Sequence, residues 1–321
     1  LTLLGYRNPA RRLVGEARGL ASRPRGSSER RSVAVVGHRG AAREEAENTI
    51  PSFQRAIELG ADAIETDVCL TRDGRFVLWH DCMPDEKVAL LRQTGEEGYL
   101  YEPDVPAIGS PWRRPVRELD LEDLRRHYGY LPCDEKKRRK PRVSIALLED
   151  LFAWMRSEPR LSLACLDVKL DDENTAGARQ LAQFLREARR EGRIPERVRI
   201  ALLCPQAELL QALLTETRRE PLGRETRIFA DFEFPGALDF AKRYGADNVS
   251  FGVRRRLRAE FRRELSKVLA ARDAGRIDSV IVWNVNDEKR LKELVSWNVD
   301  GILTDEAALL RGIVAGREGS G

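Results

Sequence analysis

The chain has three histidines, and two of them sit in compact polar clusters, His38-Arg39-Gly40 and His80-Asp81. Two more clusters are rich in acids, Glu65-Thr66-Asp67 and Asp167-Val168-Lys169. On an extended strand, residues two apart share a side. Glu65 and Asp67 are therefore expected to point together, as are Asp167 and Lys169. Taken singly, each cluster has an ordinary reading: a solvated Glu-x-Asp edge, a rim ion pair, a loop histidine. Their coincidence changes the reading. Three carboxylates make an all-oxygen nest for one hard divalent cation, Mg²⁺ or Ca²⁺. A divalent cation held by three carboxylates is still net anionic, so an anionic substrate needs further positive charge. Arg39 and Lys169 supply it, and the Arg39 fork suits bidentate contact with phosphate. Two histidines on either side of a phosphorus atom can act as base and acid, while the cation polarises a phosphoryl oxygen. The set describes phosphodiester hydrolysis. A glycosidase would need a carboxyl pair, but neither the metal nest nor the histidines.

Such residues must be delivered to one place by the elements beneath them. Eight short apolar or β-branched runs read as strands: Val33 to Gly37, Ala63 to Val68, Leu161 to Val168, Val198 to Leu203, Thr226 to Asp231, Asp247 to Phe251, Asp278 to Trp283 and Val299 to Leu303. Helical patterns follow them, among them Thr49 to Leu59, Ala176 to Arg190 and Glu288 to Trp297. Eight alternations predict a closed (β/α)8 TIM barrel, in which the strand C-terminal ends converge on one face. An open doubly wound sheet is the alternative, but no G-x-G-x-x-G or P-loop is present to support it. Between the second and third strand units lies far more chain than a crossover needs. It opens on a hairpin turn at Asp73-Gly74 and continues as an insertion over about 81–145. The insertion holds a short helix near Leu121 to His127 and a charged loop, Asp134 to Arg142, and a helix from Ala146 to Arg156 restores the rhythm. Leu90, Leu91, Tyr99, Leu100, Tyr101 and Trp112 could form a lid or a small satellite core.

Composition narrows the class. The chain has 321 residues, 42% hydrophobic and 34% charged, and a net charge of +4. That balance excludes an acidic disordered protein and gives no support to nucleic-acid binding. No run approaches the ~18 apolar residues that span a bilayer as a helix. The expected units are a basic tail over 1–31, a barrel over 32–315 and a short tail over 316–321. The tail is Arg-rich and acid-poor, which reads either as a solvated segment or as a mitochondrial-type presequence. The cysteines Cys69, Cys82, Cys133, Cys165 and Cys204 are odd in number and lack a C-x-x-C spacing. They are expected to be free thiols in a reducing, intracellular compartment, with Cys69 a buried thiol.

In order and spacing these residues closely resemble the glycerophosphodiester phosphodiesterase family. The resemblance rests on Gly37-His38-Arg39-Gly40, Glu47-Asn48-Thr49 with Phe53, Gly60-Ala61-Asp62, Glu65-Thr66-Asp67, Thr71-Arg72-Asp73-Gly74 and His80-Asp81. It continues through Leu166-Asp167-Val168-Lys169, Trp283-Asn284-Val285-Asn286 and Asp300-Gly301-Ile302-Leu303-Thr304-Asp305. It implies a TIM barrel, one divalent cation, and hydrolysis of a glycerophosphodiester or of a glycerophospholipid headgroup. On that resemblance His38 and His80 are the acid and base. Glu65, Asp67 and Asp167 bind the metal, Arg39 and Lys169 hold phosphate, Trp283 walls the pocket and Asn286 lies at its rim. Many members carry Glu where this chain has Asp167. That change, with the run through Trp283, is most similar to the fungal branch acting as phosphatidylglycerol phospholipase C. Glu47 reads either as support for the first helix, where Asn48 or Thr49 can cap free N–H groups, or as a site residue. A phospholipid substrate would bring peripheral contact with a membrane. The rival from another class is a catalytically lapsed barrel that only binds headgroups or a protein partner.

Overall fold

The computed structural model describes residues 32–318, apart from 96–97, 135, 137, 171–174, 224, 234–235 and 253–257. The strands are β1 (Ala34–Gly37), β2 (Ala63–Leu70), β3 (Phe76–Leu78), β4 (Tyr101–Asp104), β5 (Gly129–Pro132), β6 (Ala146–Leu147), β7 (Leu163–Val168), β8 (Arg199–Cys204), β9 (Thr226–Glu233), β10 (Asn248–Gly252), β11 (Ser279–Trp283) and β12 (Gly301–Thr304). The helices are α1 (Ile50–Glu58), α2 (Lys87–Arg92), α3 (Leu121–His127), α4 (Leu148–Ser157), α5 (Thr175–Arg190), α6 (Ala207–Arg219), α7 (Ala237–Tyr244), α8 (Arg258–Asp273), α9 (Glu288–Ser296) and α10 (Ala307–Glu318).

Strands β1, β2, β7, β8, β9, β10, β11 and β12 pair in parallel in that order, and β12 pairs back onto β1. This is the closed (β/α)8 barrel expected from the alternation, with the insertion between its second and third strands. Period two sorts each strand. Ala34, Val36, Ala63, Leu163, Cys165, Ala201, Leu203, Phe229, Ile281 and Leu303 fill the barrel interior. The residues between them, such as Val35, Ile64, Leu166, Leu202 and Val282, pack outward with the helices in the main core. The alanines give room for the strands to close around a filled centre. Local signals start and stop the helices. Thr49 caps α1 by accepting from the Ser52 N–H at 3.4 Å, and Pro51 falls in the first turn, where a missing N–H costs nothing.

The insertion builds a second core. β2 and β3 form an antiparallel hairpin, turned at Gly74 with φ +78°, and β6 pairs with β3. That pairing occupies Ala146–Leu147, so the helix read from Ala146 starts at Leu148 instead. The antiparallel β4–β5 pair and α3, which lies between them in sequence, complete the lobe around Val77, Trp79, Tyr101, Leu124, Tyr128 and Tyr130. Tyr101 therefore belongs to the satellite core, whereas Leu90, Leu91 and Trp112 are exposed.

One expectation is corrected. Cys69 and Cys82 are joined in a disulfide, so Cys69 is not a free buried thiol. The β2–β3 hairpin folds the chain back and brings the two within 6.1 Å, Cα to Cα, a meeting that sequence spacing does not announce. Cys133, Cys165 and Cys204 are free. α10 runs to Glu318, into the stretch read as a short tail. The expectations for residues 1–31 and 319–321 lie outside the described residues. Among the described residues no helix is long and apolar enough to cross a membrane.

Candidate active site

The inward stripe that packs the barrel changes character at its C-terminal rim. On β1, Val36 is followed two residues later by His38. On β2, Ala63 is followed by Glu65 and Asp67. On β7, Leu163 and Cys165 lead to Asp167 and then Lys169. Phe229 leads to Asp231, Ile281 to Trp283 and Leu303 to Asp305. The same parity that buries the lower residues aims these at one place. His38, Arg39, Glu65, Asp67, His80, Asp167, Lys169 and Trp283 all line one cavity of about 1040 Å³. Every candidate named from sequence at this rim is thus brought together, except Asn286. That residue lies behind the cavity wall and donates to Asp305 Oδ2 at 2.5 Å.

The acids meet through strand register. Asp67 lies opposite Asp167 across β2 and β7. Ligand oxygens of Glu65, Asp67 and Asp167 lie within 4.8 Å of one another. Asn48 fixes Asp67: its Nδ2 donates to Asp67 Oδ2 at 2.8 Å, and its Oδ1 accepts from Thr66 Oγ1 and the Asp67 N–H. The Arg39 N–H donates to Glu65 Oε2 at 2.8 Å. Lys169 Nζ lies 2.8 Å from Asp67 Oδ1 and 3.5 Å from Asp167 Oδ2.

The charges do not balance. Burial, and then the neighbouring Asp67 and Asp167, push the Glu65 carboxyl well above its ordinary range. Burial likewise raises Asp167 despite Lys169. For Asp67 the outcome is reversed, because Lys169, His80 and Arg39 outweigh burial and hold it low. Asp167 Oδ1 is buried and has no hydrogen-bond partner. Clustered oxygen donors, excess negative charge and an orphaned oxygen fit a hard divalent cation held by Glu65, Asp67 and Asp167.

Each histidine leans on an acid. His38 Nδ1 lies 2.7 Å from Asp305 Oδ1. Burial pushes the Asp305 carboxyl up, but His38 and the Asn286 and Asn284 amides win and hold it well below the usual range. Such a carboxylate only accepts, so His38 Nδ1 carries the proton and Nε2 is left for substrate. His80 Nδ1 lies 2.5 Å from Asp81 Oδ1. Burial, then Arg39 and Lys169, push the His80 imidazole well below its usual range, so it stays neutral. Trp283 Nε1 donates to Asp231 Oδ1 at 2.6 Å. Burial and the nearby Asp167 raise the Asp231 carboxyl to about 7.

Glu47 is not a helix cap, since Thr49 does that work. Its carboxylate accepts from Arg39 Nη1 at 2.8 Å and from the Tyr101 hydroxyl at 3.0 Å, and it contacts Arg92. Sequence reasoning gave no role to Asp305, Asp81, Asp231 or Arg92. The strand-end rule could have found Asp305 and Asp231, each two residues beyond an inward apolar residue. Nothing in the sequence marks Arg92.

A family model described as the glycerophosphoryl diester phosphodiesterase family matches residues 38–309. A glycerophosphodiester phosphodiesterase of Caldanaerobacter subterraneus subsp. tengcongensis is 48% identical over 68 residues, covering 21% of this chain and 26% of that protein. The glycerophosphocholine phosphodiesterase of Schizosaccharomyces pombe is 38% identical over 117 residues, 32% of this chain and 10% of that protein. The matches thus span 26% and 10% of the length of these two curated relatives. Among solved structures, a glycerophosphodiester phosphodiesterase from Parabacteroides distasonis superposes with a TM-score of 0.61 at 18% identity, over 90% of this chain and 100% of that one. At that identity the likeness shows the fold.

Proposed function

The chain belongs to the glycerophosphoryl diester phosphodiesterase family, and from that premise we propose that it hydrolyses glycerophosphodiesters by metal-dependent, histidine acid–base catalysis. The observation that carries this reading is the convergence of two histidines, each braced by an aspartate, with two cations and three acids on one cavity. Arg39 and Lys169 bind the phosphate oxygens. His80, kept neutral by burial and its cationic neighbours, takes a proton from the attacking water, whose oxygen ends on the phosphate product. His38 acts as the imidazolium paired through Nδ1 with Asp305, and gives its Nε2 proton to the leaving alkoxide. Trp283 walls the pocket, its indole fixed by Asp231. A divalent cation on Glu65, Asp67 and Asp167, Mg²⁺ or Ca²⁺, would neutralise the phosphoryl oxygens and polarise the phosphorus.

A second reading, cleavage of a phospholipid headgroup as in the fungal phosphatidylglycerol phospholipase C branch, is favoured by one feature. Val88 lines the cavity mouth yet is 56% exposed, and Leu91 beside it is 49% exposed. These apolar residues would meet a lipid surface. Purified protein is assayed on glycerophosphoglycerol and on phosphatidylglycerol vesicles with Mg²⁺ or Ca²⁺, then with EDTA. Turnover of the soluble diester, lost in EDTA and restored by the cation, is the expected result. Turnover that survives complete metal removal overturns the metal role, and a preference for vesicles favours the second reading. No turnover of any phosphodiester leaves the lapsed, headgroup-binding barrel.

A further inference from the structure

The brace on His80 does not end at Asp81. Both Asp81 oxygens accept from Arg92 Nε, at 3.1 and 3.3 Å. Arg92 Nη2 contacts Glu47 Oε1. Glu47 Oε2 accepts in turn from Arg39 Nη1 at 2.8 Å. His80, Asp81, Arg92, Glu47 and Arg39 therefore form one unbroken line, and its three middle members are buried. Arg92 is the last residue of α2, inside the insertion, and only it and Ala89 are buried on that helix.

We propose that Arg92 is a positioning residue: from the insertion it holds Asp81 against His80 and Glu47 against Arg39, locking the acid–base imidazole and the phosphate-binding guanidinium into one unit. The chemistry of the group supports this. A guanidinium is planar and has donors on several edges, so one side chain can engage two carboxylates at once; an ammonium is a single point of charge. From Asp81 through Arg92 and Glu47 to Arg39 the line alternates in sign, and each buried charge is tolerable only while its neighbours are present. Without Arg92, two buried carboxylates lose a shared cation. Glu47 then competes harder for Arg39, and Asp81 is no longer held at a fixed angle to His80. The insertion is thereby part of the catalytic apparatus, although none of its residues beyond Asp81 needs to touch the reacting atoms.

This inference rests on the phosphodiesterase reading, and the experiment separates the two. Wild-type turnover of glycerophosphoglycerol is measured first. Arg92→Met and Arg92→Lys are then compared with it, alone and in a His80→Ala background. The expected result is a fall in kcat of roughly tenfold or more for Arg92→Met, because small misplacements of catalytic groups are costly. The Mg²⁺ or Ca²⁺ affinity should stay near wild type, while the thermal midpoint falls because Asp81 and Glu47 lose their shared buried cation; rates are therefore compared well below the variant's midpoint. Added guanidinium should restore part of the rate. In the His80→Ala background, Arg92→Met should cost clearly less than it does alone, the remainder being the part that acts through Glu47 on Arg39, because coupled residues are not additive. Should Arg92→Met fail to fold, Arg92→Lys carries the same comparison, with a smaller expected fall. An Arg92 variant with wild-type kcat, or one whose full loss persists in the His80→Ala background, overturns the proposal. A wild type without turnover overturns the phosphodiesterase reading instead. Nitrogen NMR of the imidazoles then decides on Arg92 alone: the His80 Nδ1–H signal should be protected in wild type and lost in the Arg92 variants. Its persistence in those variants overturns the positioning role.

Discussion

His38 and His80 carry the same side chain in opposite company. Asp305 is braced by neutral amides and keeps its full charge toward His38, whereas Asp81 shares its charge with Arg92, and Arg39 and Lys169 bear on His80. One fold thus gives two imidazoles different electrostatic surroundings. Replacing either His38 or His80 with Ala is expected to lower kcat by about 10²–10⁴ while leaving cation binding intact, as titration calorimetry with Mg²⁺ or Ca²⁺ would report. Near-normal turnover in either variant removes that histidine from proton transfer. Asp231 gives a pH prediction. Its folded pKa is raised to about 7, above that of an unfolded aspartate, so the folded state binds the proton more tightly. Stability from this group is present in acid and is lost as pH rises through about 7. Asp231→Asn removes the loss and can still accept from Trp283. In EDTA at pH 8 its Tm should exceed wild type by about 2 °C, with the gap closing toward pH 4. A gap that does not depend on pH would show that Asp231 is not the titrating group. At this scale the acidic cluster was legible because Glu65, Asp67 and Asp167 follow strand parity. Arg92 was not, because its partners Asp81 and Glu47 come from separate loops and meet it only after folding.

Several barrel strands divide their inward residues between packing below and polar cavity lining above. Ile281 fills the interior, and two residues later Trp283 walls the pocket. The neighbouring strand makes room for that indole. Gly252 lies opposite Trp283 across β10 and β11, and a Cβ there would come within 2.7 Å of the ring. Gly252→Ala should push the indole off Asp231 and raise KM several-fold with a smaller change in kcat. An unchanged KM would mean that Trp283 does not shape the substrate pocket. The eight barrel strands were readable because each is an apolar run between turn signals. β3 is the return arm of the hairpin expected at Asp73-Gly74, but β4, β5 and β6 were not among the expected strands: Tyr101-Glu102-Pro103-Asp104, Gly129-Tyr130-Leu131-Pro132 and Ala146-Leu147 contain no β-branched run to mark them. They take their structure from pairing, and β6 thereby displaced the start of α4.

The barrel and the insertion each have their own core, and the two share one hairpin. β2 presents Glu65 and Asp67 to the cavity, and Cys69 and the paired β3 residue Val77 lie in the core of the insertion. Replacing 84–142 with a short linker should therefore leave a barrel with its sequence-defined site residues but no turnover, and with Trp79 uncovered. Dye binding to exposed apolar surface and loss of thermal cooperativity would report it; a stable, active excised barrel would refute the shared role of the hairpin. The insertion was visible in the sequence as surplus length. Its contents were not, because nothing local says that Tyr101 and Arg92 turn inward while Leu90 and Leu91 stay out. The network through Arg92 also limits what can be exchanged between relatives. A grafter who transplants this lobe onto another barrel must carry Glu47 with it, from a loop outside the transplanted segment, or the donor lobe arrives with a buried cation and no counterpart. Modularity in this molecule ends at that contact.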